Sequence, residues 1–235
     1  MKLLLFRSWF LVLGSSFLAP TLVLGSSPLL AQFGPTPASP QPAASPDQVA
    51  RWNTARLRPE KSIALDKAVF LFQKTAPRYA KIEEMRENGV PAPILFCLHY
   101  RESDNDFTAH AHEGSSLQHR TRDEPKGRLP APARPPFTFE QSAEDAYYIC
   151  ERPPLDTIDW GNIQAALDKM ESFNGYGYRA KGIAAPYLWS GTTLYSRGKY
   201  VADHRYSTTA MDGQLGCAAI LLRMRERGIA VKFAR

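Results

Sequence analysis

PAPILFCLHYRES, residues 91–103, is the stretch on which the fold turns. Pro91 and Pro93 suit the first turn of a helix, where a missing N–H costs nothing. The run that follows predicts a short buried helix over 94–102. Leu95, Leu98 and Glu102 are spaced i, i+3, i+7 and so share a face. A carboxyl group on the apolar stripe of such a helix is unusual, and at the C-terminal end it meets the negative pole of the macrodipole. Both effects penalise the ionised form. A protonated carboxylic acid is what general-acid catalysis requires, which makes Glu102 the first catalytic candidate. The plainer alternative places Glu102 just past the helix, turned to solvent.

Upstream, residues 61–72 set Ile63, Ala64, Val69, Phe70 and Phe72 among charges in an amphipathic helical pattern. Pro77 should kink or restart that helix, 79–88 continues it, and Asn88-Gly89 reads as its stop. Downstream, the polar loop 103–136 is too long for a mere connector. Thr138-Phe139-Glu140-Gln141 is a capping box opening a helix to about residue 149. Asp159 is placed to cap the next helix, whose stripe of Trp160, Ile163, Leu167, Met170 and Phe173 reads as plain core. Thr209-Ala210-Met211-Asp212 looks like a further capping box, opening a final helix through Ile220, Leu221 and Met224 that stops at Gly228. Residues 229–233 have the pattern of a short strand. The class expected is mainly α, with at most a minor β element.

Between the last two helices lies NGYGYRAKGIAAPYLWSGTTLYSRGKYVADHRY, residues 174–206, with seven aromatics in 33 residues against an 11% average. Five glycines and Pro186 forbid a long helix or a regular strand there. Aromatic faces on irregular backbone suit sugar rings, and the same tyrosines equally suit half-buried packing, with about half expected to be structural.

The whole chain has 235 residues, 44% of them hydrophobic, and a net charge of +6. Residues 1–31 combine Lys2 and Arg7, an apolar run over 9–24 and small residues beyond it, the pattern of a secretory signal peptide. Pro20 and the serines in the run argue against a stable membrane span. Residues 32–50, with prolines at 35, 37, 40, 42 and 46, read as a semi-extended linker. The folded domain is then expected over 51–235, exported to a bacterial periplasm or beyond, without stable membrane insertion once the signal is cut. Cys97, Cys150 and Cys217 are too few for a disulfide scaffold, and Cys97 and Cys217 read as small core residues. The positive charge is spread out and lacks a nucleic-acid-binding motif, so no nucleic acid partner is expected.

Glycosidic cleavage needs a neutral acid with a second carboxylate or a bound water. Asp104, Asp106, Glu113, Asp123 and Asp203 are the candidates for the second role, Asp106 foremost. His110, His112 and His119 beside Glu113 raise a zinc-hydrolase reading, but no His-Glu-x-x-His pattern accompanies them. Hydrogen-bonding roles in a polar cleft suit them better, so neither a metal nor a cofactor is expected. No Gly-x-Ser-x-Gly elbow, phosphate loop or dinucleotide fingerprint is present.

His99-Tyr100-Arg101-Glu102-Ser103, Asp106-Phe107, His110-Ala111-His112-Glu113-Gly114 and Phe137-Thr138-Phe139-Glu140, together with Phe173-Asn174-Gly175-Tyr176-Gly177-Tyr178-Arg179, Ala185-Pro186-Tyr187-Leu188-Trp189-Ser190-Gly191 and Gly198-Lys199-Tyr200-Val201-Ala202-Asp203, resemble secreted and phage-associated members of the lysozyme-like superfamily. The resemblance covers roughly 79–222. It implies a helical lysozyme-like fold and cleavage between N-acetylmuramic acid and N-acetylglucosamine in peptidoglycan, with Glu102 in the acid position; separately, a monomer is expected. In lytic transglycosylases of that family one glutamate serves as acid and then base. The loop departs from the pattern: His112-Glu113-Gly114-Ser115 stands where the family leads one to expect Asn-Gly-Asp. Glu102 and Asp106 are thus the catalytic candidates, and His110, His112, Tyr176, Tyr178, Tyr187, Trp189 and Tyr200 the sugar-binding ones. The rival readings are a peptidoglycan-binding module without turnover and a metal-dependent cell-wall amidase.

Overall fold

Every side chain from Ile94 to His99 is cut off from solvent, which calls for a helix enclosed on all sides rather than one with a single inner face. The computed structural model describes residues 45–123, 125–129, 132–202 and 205–233, and in it this helix is α3 (Ala92–Ser103). Pro91 is its N-cap and Pro93 lies in its first turn. Leu95 and Leu98 are fully buried, whereas Glu102 has reached the half-buried rim.

The helices α2 (Ser62–Glu83) and α7 (Cys217–Glu226) pack against α3 and against each other. Contrary to the predicted restart, α2 runs unbroken through Pro77. Pro77 and Gln73 are both exposed, so the carbonyl left without an N–H partner stays hydrated. The inner face of α2 is Leu65, Ala68, Val69, Phe72, Tyr79 and Ile82; Ile63 and Phe70 point outwards, 74% and 57% exposed. The helix also ends before Asn88-Gly89. Gly89 serves a close approach instead, since a Cβ there would stand 1.8 Å from the Glu83 carbonyl oxygen. Where α3 crosses α7, Cys97 Sγ lies 3.7 Å from the Cys217 carbonyl oxygen and Cys217 Sγ 3.6 Å from that of Cys97. Both cysteines are buried and unbridged.

α1 (Gln48–Thr54), capped by Asp47, packs on α5 (Ile163–Ser172). The buried Gln48 donates from Nε2 to Glu171 at 2.9 Å, and Trp52 meets Phe233 edge-on at 5.2 Å. Residues 45–50 are therefore part of the folded unit and not the end of a linker. The leader and residues 32–44 lie outside the described residues.

α4 (Phe139–Glu144) opens on the predicted capping box, both reciprocal bonds present, and continues as a π-helical turn, Asp145–Cys150. Asn162, not Asp159, caps α5; Asp159 instead accepts the Gly161 N–H. Trp160, Leu167, Met170 and Phe173 are core as expected. The glycine-rich segment holds only a short helix, α6 (Pro186–Trp189), and an antiparallel hairpin, β1 (Lys199–Ala202) with β2 (Arg205–Ser207), in which Tyr200 faces Tyr206. Thr209–Asp212 does not open α7, which starts after Gly216, and residues 229–233 form no strand although Val231 and Phe233 are buried. Gly228, at φ 74°, ends α7 as expected. The protein is mainly α with a minor β element.

Candidate active site

The end of α3 is shaped by two consecutive left-handed residues, Asp104 at φ 54° and Asn105 at φ 57°. Asp and Asn tolerate this region because a short polar side chain can bond locally. Asn105 is buried and donates from Nδ2 to the Phe96 carbonyl (3.1 Å) and to the Tyr79 hydroxyl (3.0 Å). That hydroxyl lies 2.8 Å from His99 Nδ1, and His99 Nε2 faces the Asp106 carbonyl at 3.3 Å. The partners assign Nε2–H to a neutral ring that accepts from Tyr79. Burial lowers the His99 pKa to about 4, consistent with that state. A closed ring of hydrogen bonds thus sets the bend just beyond Glu102.

Glu102 is half-buried, and the hydroxyl of Tyr187 in α6 donates to its Oε1 at 2.9 Å. The loop returns to this point at Gly114, where a Cβ would meet the Glu102 carbonyl oxygen at 3.7 Å. On the far side, Gln214 donates to Asp104 at 2.9 Å. Burial pushes the Cys217 thiol pKa up at the start of α7; Arg101 opposes it and Glu102 adds to it.

Beneath Glu102 runs a buried charge network. Arg101 Nη2 donates to Asp212 Oδ2 at 2.8 Å, and Lys199 Nζ to Oδ1 at 3.1 Å. Burial works against the Asp212 carboxylate, yet Arg101 and Lys199 outweigh it and keep its pKa below the ordinary value. The Arg101 guanidinium also lies over the Tyr187 ring, 4.9 Å from its centroid. Asp212 thereby joins α3 to β1 and to the approach to α7, and Arg101 steadies the tyrosine that holds Glu102.

Of the loop histidines, His110 and His112 are wall, not cleft, whereas His119 is exposed. His110 and His112 are buried at 0% and 1% exposure. Ser142 Oγ stands 2.9 Å from His110 Nδ1 and 3.3 Å from His112 Nδ1, and also accepts the Ala111 N–H. His112 Nε2 bonds Asp145 at 2.8 Å, and Arg128 grips the same carboxylate through two nitrogens. Burial lowers the His112 pKa against the pull of Asp145. Burial would raise that of Asp145, but His112 and Arg128 bring it down. A ligand would have to open the fold to reach either ring. Among the described residues no three His, Cys, Asp or Glu side chains stand together as metal ligands.

Asp106, expected to support catalysis, has Oδ1 on the Thr108 N–H and hydroxyl, a turn-forming role. Glu113 likewise bonds Ser115, and Asp123 bonds Arg122; Asp203 lies outside the described residues. Trp189 is wholly enclosed and offers no face to a sugar. Tyr178 is 3% exposed and packs edge-on with Tyr200 and Tyr206, with Lys181 Nζ 4.5 Å above the Tyr206 ring. Tyr187 is buried too, but its hydroxyl reaches Glu102. Tyr176 is open to solvent, with Arg179 stacked 3.9 Å over its ring. The structure brings Glu102 and Tyr187 together; it leaves Asp106, His110, His112, Trp189 and Tyr178 in structural positions. Arg101, Asn105 and Asp212 belong to the site and lacked a sequence signal beyond the adjacency of Arg101 to Glu102.

No family model, curated protein or solved structure matches the chain.

Proposed function

We propose that this chain is an exported enzyme that cleaves peptidoglycan glycan strands, of lysozyme or lytic transglycosylase type, with Glu102 as its general acid. The observation that carries the proposal is a carboxyl group at the rim of a buried helix end, with one oxygen held by a phenol. With Oε1 taken by Tyr187, Oε2 is the oxygen that carries the proton toward a glycosidic oxygen. As the glycosidic bond breaks, that proton goes to the leaving oxygen. The resulting carboxylate then accepts a proton from the attacking water, or from a hydroxyl of the substrate itself. Asp106, Glu113 and Asp123 are each bonded within their own loop and Asp104 accepts from Gln214, which favours chemistry in which one glutamate acts twice. The occupied rings of His110 and His112 argue against the metal-dependent amidase.

The test is mass spectrometry of purified peptidoglycan incubated with the protein and with Glu102→Gln. The amide preserves shape but supplies no proton, so the rate should fall by about a hundredfold or more. Muropeptides from the parent and almost none from the variant are expected, and their ends distinguish water from intramolecular attack. Equal products would overturn the role of Glu102. Wall binding without products from either protein would make the chain a binding module.

A further inference from the structure

The outer face of α2 carries large apolar and cationic side chains together. Ile63 and Phe70 stand seven residues apart on it, the two most exposed aliphatic and aromatic side chains of that helix, with Leu71 beside them. Lys67, Lys74 and Lys81 follow the same seven-residue spacing and are also exposed. At 100° per residue these side chains form one stripe about five turns long. Lys74 Nζ lies 4.3 Å over the Phe70 ring, so cation and aromatic are interleaved. The carboxylate at the edge of the stripe, Asp66, is bonded by Arg223 and Arg227 at 2.7–2.8 Å. The nearest exposed acids flank the stripe at its two ends: Glu60, paired with Arg58 at 3.6 Å, precedes the helix, and Glu84 follows it.

We propose that this face docks on an anionic lipid bilayer, with Ile63 and Phe70 in the headgroup–acyl boundary and the three lysines on lipid phosphates. Charge selects the partner. A second copy of the chain would set lysine stripe against lysine stripe with exposed acids only at the ends, Glu60 and Glu84, a repulsive arrangement along its length. A soluble anionic polymer would satisfy the lysines but offers no apolar depth for Ile63 and Phe70. A basic stripe sharing its face with large apolar groups is the pattern of helices that lie in a membrane interface. The contact is peripheral, since among the described residues no helix is long and apolar enough to cross a membrane. The inference is independent of glycan cleavage and does not involve Glu102.

The full chain is mixed with vesicles of phosphatidylglycerol and phosphatidylcholine, or of phosphatidylcholine alone, and lysine acetylation is followed by mass spectrometry. Residues 1–31, with Lys2 and Arg7, also favour the anionic vesicle, so the test is which lysines are protected, not whether the chain binds. Docking protects Lys67, Lys74 and Lys81 by about fivefold or more on the anionic vesicles only, with Lys126 and Lys181 unchanged. Ile63→Ser with Phe70→Ser should remove most of that protection; both positions are exposed, so the fold survives. Equal labelling on the two vesicles overturns the proposal, as does uniform protection of all lysines. Protection without vesicles that grows with protein concentration overturns it in favour of self-association, and protection by soluble polyphosphate equal to that by vesicles overturns it in favour of a polymer.

Discussion

Asn105 holds a left-handed conformation and two buried hydrogen bonds three residues beyond the proposed acid. Asn105→Ala should therefore cost about 2–3 kcal/mol, from the lost bonds and from a Cβ-bearing residue less tolerant of that region. Denaturant unfolding would show it as a lower midpoint at unchanged slope. His99, in the same ring, has a folded-state pKa near 4 against 6.5 unfolded. The unfolded chain binds its proton first as pH falls, so the stability is complete above 6.5 and is lost between 6.5 and about 4. The loss is on the order of 3 kcal/mol, and His112, lowered in the same direction, adds to it. Unfolding midpoints measured from pH 7.5 to 4 should fall, with a shallower fall in His99→Gln. Glu102 was legible in the sequence because a carboxyl at the end of an apolar run breaks a local pattern. Arg101 was not, because what buries it, Asp212, lies 111 residues away.

Gly216 begins α7 where α6 ends, and a Cβ there would stand 2.2 Å from the Leu188 carbonyl oxygen. Its N–H also donates to the Ser190 carbonyl at 2.8 Å. Gly216→Ala must push apart the two elements that bracket Glu102 and should cost about 3 kcal/mol. The cleavage rate should fall as Tyr187 withdraws from the carboxyl, to be read by thermal unfolding beside the product assay. Elements set by local chemistry could be read in advance: the prolines opening α3, the capping box of α4, and Gly228 closing α7. Those decided by distant partners could not. Thr209–Asp212 has the letters of a cap, yet Arg101 and Lys199 claim Asp212. Pro77 has the letter of a break, but it falls where the freed carbonyl meets water. In the glycine-rich segment the excess of aromatics was plain, whereas the inward turn of Trp189 and Tyr178 depends on packing that periodicity does not encode.

α1 and the residues before it seal one side of the whole molecule. A chain starting at residue 51 loses the Gln48–Glu171 bond and the helical start that seats Trp52, leaving Glu171 buried with one fewer partner. It should be about 1–3 kcal/mol less stable than one starting at residue 45, as calorimetry of the two would show. At the opposite extreme of burial sit Cys97 and Cys217, which cannot meet an alkylating reagent while α3 and α7 stay together. Cys150 is only half-buried and reacts on a separate timescale. Left in excess reagent under native conditions, each molecule thus keeps a chemical record of whether its central helices have ever parted: one added mass for those that have stayed shut, three for those that have once come open.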